Sequence, residues 1–168
     1  MIERVNLNDL NLRQIAFIAF IVFFSTISYI YINNFQAKAR DVKRKADLAN
    51  IIKALDLYHE KYGVYPESAD ERNGWDMSNP LSGKGPGVLT ILAREELISR
   101  VINDPVNNEN YQYLYKKFPA ESYGCRKPFY IFQILNFETE MPSRGSGRCK
   151  EFDWTKLAPY GFTTQGFD

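Results

Sequence analysis

Histidine occurs once in the 168 residues, at His59, and cysteine only twice, at Cys125 and Cys149. Ser-His, Cys-His and zinc constellations therefore lack members, and no enzyme is expected. His59 lies in a charged helical stretch and reads as a solvated side chain. Charge of one sign is also lacking, since 21 basic against 20 acidic residues leave a net charge of +1. Phosphate binding needs a basic excess on one face, so nucleic acid is not an expected partner. Gly83-Lys84-Gly85-Pro86-Gly87 lacks the Gly-Lys-Ser/Thr ending of a phosphate loop, and Pro86 removes a donor. It reads as a loop before a helix Val88–Ile98. Dense acidic spacing is missing too: the tail from Phe152 to Asp168 holds only Asp153 and Asp168, whereas calcium takes roughly six to eight oxygens. Asp104, Asn107, Asn108 and Glu109 read as a turn. Glu95-Glu96 and Glu138-Glu140 read as surface charges or strand edges. No metal, cofactor or small-molecule substrate is expected.

The absence that carries most information is local. No charged residue falls between Gln14 and Ala37. As a helix this run spans about 36 Å, against a hydrocarbon thickness of about 30 Å. Ile15, Phe17, Ile18, Phe20, Ile21 and Phe24 make its densest part, Ser25, Thr26 and Ser28 can bond back to the helix, and Tyr29 and Tyr31 suit the interfacial aromatic belt. A cleaved signal peptide has a shorter apolar core and a small-x-small site, so a retained anchor is expected. Its orientation is contested. Arg4 and Arg13 precede the span while Lys38, Arg40, Lys43, Arg44 and Lys45 follow it, which by the positive-inside rule puts the remainder in the cytoplasm.

No Pro or Gly interrupts Ala37 to Tyr62. Apolar residues at Ala46, Leu48, Ile51, Ile52, Leu55, Tyr58 and Tyr62 form one stripe, and charges fill the other faces, with Asp41/Lys45 and Lys43/Asp47 four apart. Gly63 is a C-cap and Pro66 stops the helix from resuming. The pattern fits one continuous helix from about Gln14 to Tyr62, or two with a hinge near Asn33-Asn34. The basic cluster reads either as a solvated helix face or as a site for anionic headgroups.

Beyond the helix, Tyr111–Phe118 and Phe129–Glu138 read as strands, the first with Tyr111, Tyr113 and Tyr115 on one face. Pro119–Pro128 is a loop carrying Cys125. The Gly- and Arg-rich loop Ser143–Cys149 reads as flexible and as the most exposed candidate for contact. The expected fold class is α+β, a long N-terminal helix packed on a small antiparallel sheet. Cys125 and Cys149 read as a disulfide if this part lies in an oxidising compartment, or else as two buried thiols.

Ala54-Leu55-Asp56-Leu57-Tyr58 followed by Gly63-Val64-Tyr65-Pro66 resembles the end of the long helix in type IV pilins and type II secretion pseudopilins, especially the major pseudopilin. Arg40, Asp41, Lys45, Ile51 and Ile52 resemble the preceding turns, and Asn103 to Tyr113 resembles that family's approach to its sheet. The resemblance covers roughly residues 14 to 135. It implies a helix whose apolar half sits in the membrane before assembly and in a filament core afterwards. Three features depart from the family. No Gly-ended leader occurs before Phe24, and ungapped counting puts the cleavage junction near Asn8-Asp9 and Arg13 where the family keeps a glutamate. The Pro that kinks the family's membrane half is also missing.

The expected organisation is a polar tail at 1–13, a transmembrane half-helix at 14–37, an amphipathic half-helix at 38–62 and a pilin-like head at 63–168. The resemblance, with the cysteine pair, implies a single-pass inner or cell membrane protein with its head outside the cytoplasm. The expected role is a structural subunit or accessory protein of a pilus-like filament or type II secretion-like machine. Its expected partners are the membrane and other pilin-like or secretion-system subunits, including copies of itself in a homo-oligomer or filament. The alternative is a membrane-tethered extracytoplasmic binding module that does not polymerise.

Overall fold

The computed structural model describes residues 12–68, 74–78, 87–139 and 143–168. The proposed tail residues 1–11, the junction at Asn8-Asp9, the loop residues Gly83 to Pro86 and Glu140 lie outside the described residues. The architecture is α+β, consistent with a pilin-like layout: one long N-terminal helix, α1 (Leu12–Tyr62), and a four-stranded antiparallel sheet in the order β1-β2-β3-β4. The strands are β1 (Asp76–Met77), β2 (Tyr113–Phe118), β3 (Phe129–Ile134) and β4 (Phe162–Phe167), and a short helix α2 (Val88–Arg94) precedes β2. The chain divides into two compact units, Met1–Ala37 and Lys38–Asp168.

In the second unit, Ile51, Ala54 and Leu55 of α1 are buried in a core with Tyr113 and Tyr115 of β2, Tyr130, Phe132 and Ile134 of β3, and Leu89 and Leu92 of α2. The helix ends because Gly63 adopts φ +74°, a left-handed conformation that costs glycine little, and its N–H bonds the His59 carbonyl at 2.7 Å. All six residues of β3 are buried, because the sheet is covered on both faces. Its second face packs Phe129 and Ile131 against Phe118, Trp154, Cys125 and Cys149. Cys125 and Cys149 are disulfide-bonded, with Cα atoms 5.1 Å apart across 24 residues of sequence. Closing a loop of that length stabilises the fold by about 3.5 kcal/mol on the chain-entropy account.

Several expected boundaries shift. The first strand begins at Tyr113, not Tyr111, and the second ends at Ile134, not Glu138, because Tyr111 and Glu138 are turned toward α1. The helix expected at Val88–Ile98 stops at Arg94, with Glu96 at φ 59°. The loop Ser143–Cys149, expected to be flexible, is tied to β4: Thr163 donates to Arg144 and accepts from Ser146 at 3.0 and 2.9 Å, and Gly147 and Cys149 are buried. The tail from Phe152 to Asp168 forms a short helical turn at Trp154–Leu157, capped by Asp153 through Thr155, and then the strand β4.

Gly161, just before β4, and Gly166, within it, lie so close to β3 that neither has room for a side chain. A Cβ on Gly161 would sit 1.9 Å from the backbone oxygen of Ile134, and one on Gly166 would sit 2.3 Å from the Tyr130 ring. At Gly63, by contrast, no atom lies within 4 Å of an added Cβ. Gly161→Ala is expected to destabilise the protein by about 3 kcal/mol through overpacking against backbone, and Gly63→Ala by only about 1 kcal/mol through its positive φ. Urea denaturation of the detergent-solubilised full chain checks the ranking, which equal losses would contradict.

Candidate functional site

Within the first unit, α1 carries Ile15, Phe17, Ile18, Phe20, Ile21 and Phe24, and every one of them is exposed. Phe23, Ile30, Ile32 and Phe35 are exposed as well, so apolar side chains surround the helix on all sides. An all-round apolar helix needs an apolar medium. This stretch is long and apolar enough to cross a membrane, with a mean hydropathy of 2.3 over its best window and none of that window buried. Thr26 returns its hydroxyl to the Val22 carbonyl at 2.8 Å, which hides its donor without a partner helix.

The motif at the helix end is a packing device. Ile51 and Leu55 are fully buried, Leu48, Ile52 and Tyr58 are half-buried, and Tyr62 is largely exposed. Tyr65 stacks on His59 at 4.6 Å and meets Tyr130 edge-on at 4.5 Å. Its backbone N–H donates to the Asp168 carboxylate at 2.8 Å, and its hydroxyl donates to Asp56 at 3.2 Å. Burial, followed by the nearby Asp56 carboxylate, pushes the Tyr65 hydroxyl up to about 12. Pro66 offers its carbonyl to the buried Tyr115 hydroxyl at 2.6 Å. His59 is half-buried rather than solvated, 3.7 Å from Asp168.

The feature that sequence reading missed stands at the start of the second unit. Arg44, which belongs to the basic cluster read above as a solvated helix face or a headgroup site, is 0% exposed. Its guanidinium makes a two-pronged pair with Asp104, Nε to Oδ2 at 2.7 Å and Nη2 to Oδ1 at 3.0 Å. Nη1 donates to Asp41 at 2.7 Å and to Glu138 at 2.8 Å, and the Tyr111 ring lies 4.8 Å from the guanidinium carbon. Arg40 holds the other side of Glu138 with two bonds of 2.8 and 2.6 Å. Each carboxylate in turn fixes a loop. Asp104 accepts from the backbone N–H groups of Val106 and Asn107, making the expected turn, and Asp41 accepts from those of Glu138 and Thr139 and from the Thr139 hydroxyl. One turn further on, Asp47 is also buried, bridged to Lys43 at 2.5 Å and accepting the Tyr113 hydroxyl at 2.9 Å.

These contacts overturn three expectations. Asp41, Arg44 and Asp47 do not face solvent, Ala46 is exposed rather than part of the buried stripe, and Glu138 is no ordinary surface charge. With Arg40 and Arg44 bound to carboxylates and Lys43 to Asp47, the basic cluster is largely neutralised within the fold. Burial alone would raise the Asp41 carboxyl, but the N–H groups of Glu138 and Thr139 and the arginine outweigh it and hold the group below its ordinary range. The Glu138 carboxyl is lowered chiefly by its bonds to Arg40, and the Arg44 guanidinium is held charged, its burial outweighed by Asp104 and Glu138. Among the described residues no group of three or more His, Cys, Asp or Glu is arranged to hold a metal, because the converging carboxylates converge on arginine.

A cavity of about 250 Å³ lies between β1, the start of α2 and β2, lined by Asp76, Ser78, Val88, Tyr113 and Tyr115 among others. Asp76 accepts from the Val88 N–H, and the Ser78 hydroxyl accepts from the Tyr113 N–H and donates to Asn107. It presents no reactive group. In comparisons with known proteins, the chain matches no protein-family model, no curated protein and no solved structure.

Removing one partner of a buried ion pair leaves the others uncompensated. Arg44→Met is therefore expected to cost about 3–5 kcal/mol at neutral pH. The wild type should also lose stability in acid. Asp41 and Glu138 have ordinary values of 3.8 and 4.5 and are lowered in the fold, so their contribution is complete above those values and disappears as pH falls through the lowered ones. In Arg44→Met both carboxyls lose one lowering contact and keep their others, Arg40 for Glu138 and the Glu138 and Thr139 N–H groups for Asp41, which makes the acid slope shallower. Urea denaturation of both proteins from about pH 3 to 8 reads both effects; parallel pH profiles would contradict this account of the network.

Proposed function

We propose that this protein is a membrane-anchored structural or accessory subunit of a pilus-like filament or type II secretion-like machine, with no catalytic role. The observation that carries the reading is the single helix α1. Its first part is apolar and exposed on every side, and its later part forms the core of a disulfide-closed α+β unit. The resemblance of Ala54–Pro66 and Asn103–Tyr113 to pilins and pseudopilins supports the same reading. The disulfide supports placing Lys38–Asp168 outside the cytoplasm of a cell or inner membrane, since such bonds persist in oxidising compartments.

A second reading, a tethered binding module that does not polymerise, is favoured by Arg13. The pilin family places a glutamate there, and an arginine cannot make the same pairing with a neighbour's terminal amine.

The two readings separate in membranes from cells expressing the full chain. Chemical crosslinking followed by electron microscopy of detergent extracts is expected to give a ladder of oligomers and short filaments. Monomers alone at high protein concentration would leave only the tethered module. Alkylation without reductant is expected to label neither cysteine, and two labelled thiols would contradict the placement outside the cytoplasm.

A further inference from the structure

Of the two strands at the edges of the described sheet, β1 is two residues long and β4 is six. An edge strand presents unpaired N–H and C=O groups to any other chain, and proteins blunt such edges with charge, proline or a covering segment. β4 reads Phe-Thr-Thr-Gln-Gly-Phe, with neither charge nor proline, so its guard comes from elsewhere. In an antiparallel ladder the backbone groups of successive residues point alternately toward the neighbouring strand and away from it. Those of Thr163 point away from β3 and bond the segment 144–149: the Thr163 N–H donates to the Arg144 carbonyl at 3.0 Å, and the Thr163 carbonyl accepts from the Ser146 N–H at 2.9 Å. Gln165 lies on the same outward row, and the Arg148 N–H donates to its side-chain oxygen at 2.9 Å.

This cover is thin. It reads Arg-Gly-Ser-Gly-Arg-Cys, the composition of a flexible loop. Its glycines permit the close approach, since a Cβ on Gly145 would sit 2.0 Å from the Thr163 backbone oxygen and one on Gly147 would sit 2.6 Å from Thr163 Cγ2. They also give the segment more backbone freedom to lose on docking than any other residue would. The Gly147 carbonyl accepts from the Trp154 N–H at 2.7 Å, a contact within the same loop. What ties the segment covalently to the rest of the sheet is its last residue, Cys149, through Cys125 in the turn before β3. Gln165 joins the two devices: its Nε2 lies 3.6 and 3.5 Å from the two sulfurs while its Oε1 holds Arg148.

We infer that Arg144–Cys149 is a strap latched over the edge of β4 by the Cys125–Cys149 disulfide, and that this edge stays open until the bond forms. The latch sets by thiol–disulfide exchange: the two cysteine thiols pass two electrons and two protons to an external disulfide, which leaves as two thiols. Before that step Thr163 and Gln165 offer outward backbone groups to any extended chain. After it the edge is covered. The inference concerns the sheet alone and holds whether or not the chain assembles through its helix.

The test is hydrogen exchange of the detergent-solubilised full chain, oxidised, reduced after folding by a dithiol, and as Cys125→Ser/Cys149→Ser. Breaking the bond is expected to speed exchange at the Ser146 and Thr163 amides about a hundredfold or more, while amides shared by β2 and β3 change by less than about tenfold. Trypsin reads the same opening, because the strap carries its own sites at Arg144 and Arg148. Cleavage there is expected to be at least about tenfold faster without the bond than with it, with Lys116 and Lys117 of β2 spared. Ser146 and Thr163 amides as slow as in the oxidised protein would overturn the latch, because the strap would then hold itself. Equal acceleration throughout the sheet, or cleavage at Lys116 and Lys117 as fast as at Arg144 and Arg148, would also overturn it, because the bond would then hold the whole fold.

Discussion

The guanidinium of Arg44 is the constraint around which the described structure of residues 38–168 is arranged. A fully buried cation is tolerated only when carboxylates and hydrogen bonds replace its water, and Arg44 takes them from three places in the chain: one helical turn away at Asp41, from the turn before the sheet at Asp104, and from the strand-end segment at Glu138. Because each of those carboxylates also holds backbone N–H groups or a second arginine, the turn at 104–107 and the segment 136–139 are positioned by the same charge. The sheet is thereby fixed to α1 by polar contacts at this end and by Ile51, Leu55 and the tyrosines further along.

The inner side of α1 here carries Asp41, Arg44 and Asp47, while Ala39, Val42, Ala46 and Ala49 face out among the exposed Lys38, Lys43 and Lys45. The disulfide works on the opposite face of the sheet, where Trp154, Phe118 and Phe129 form a second aromatic core that would otherwise depend on a long loop. The sheet is thus packed on both of its faces.

Much of this was legible in the sequence, and the parts that were not share a cause. The uncharged run, the Gly63 cap, Tyr113–Phe118 and the strand starting at Phe129 follow from local composition and period. Of the expected stripe, Ile51 and Leu55 are buried and Tyr58 half-buried, whereas Ala46 and Tyr62 are exposed. Asp41, Arg44 and Asp47 were misread because period rules sort residues by polarity, and a buried ion network inverts that sorting. The one available signal was the spacing itself, since the outward positions are apolar at heptad intervals while the charged ones share a face. Strand β1, two residues long, and β4, interrupted by Gly166 and flanked by Gly161, carry too little pattern to be recognised without their partners. The meaning of Glu138 lay 94 residues away at Arg44.

The most direct measurement of the central claim is amide hydrogen exchange of the full chain, read at Val106, Asn107, Glu138 and Thr139, whose N–H groups are held by Asp104 and Asp41. If Arg44 organises these segments, their amides exchange as slowly as those in the middle of β3, although they belong to loops. Exchange as fast as at the exposed turn around Asn110 would show that the carboxylates do not hold the loops to α1, and would contradict the account.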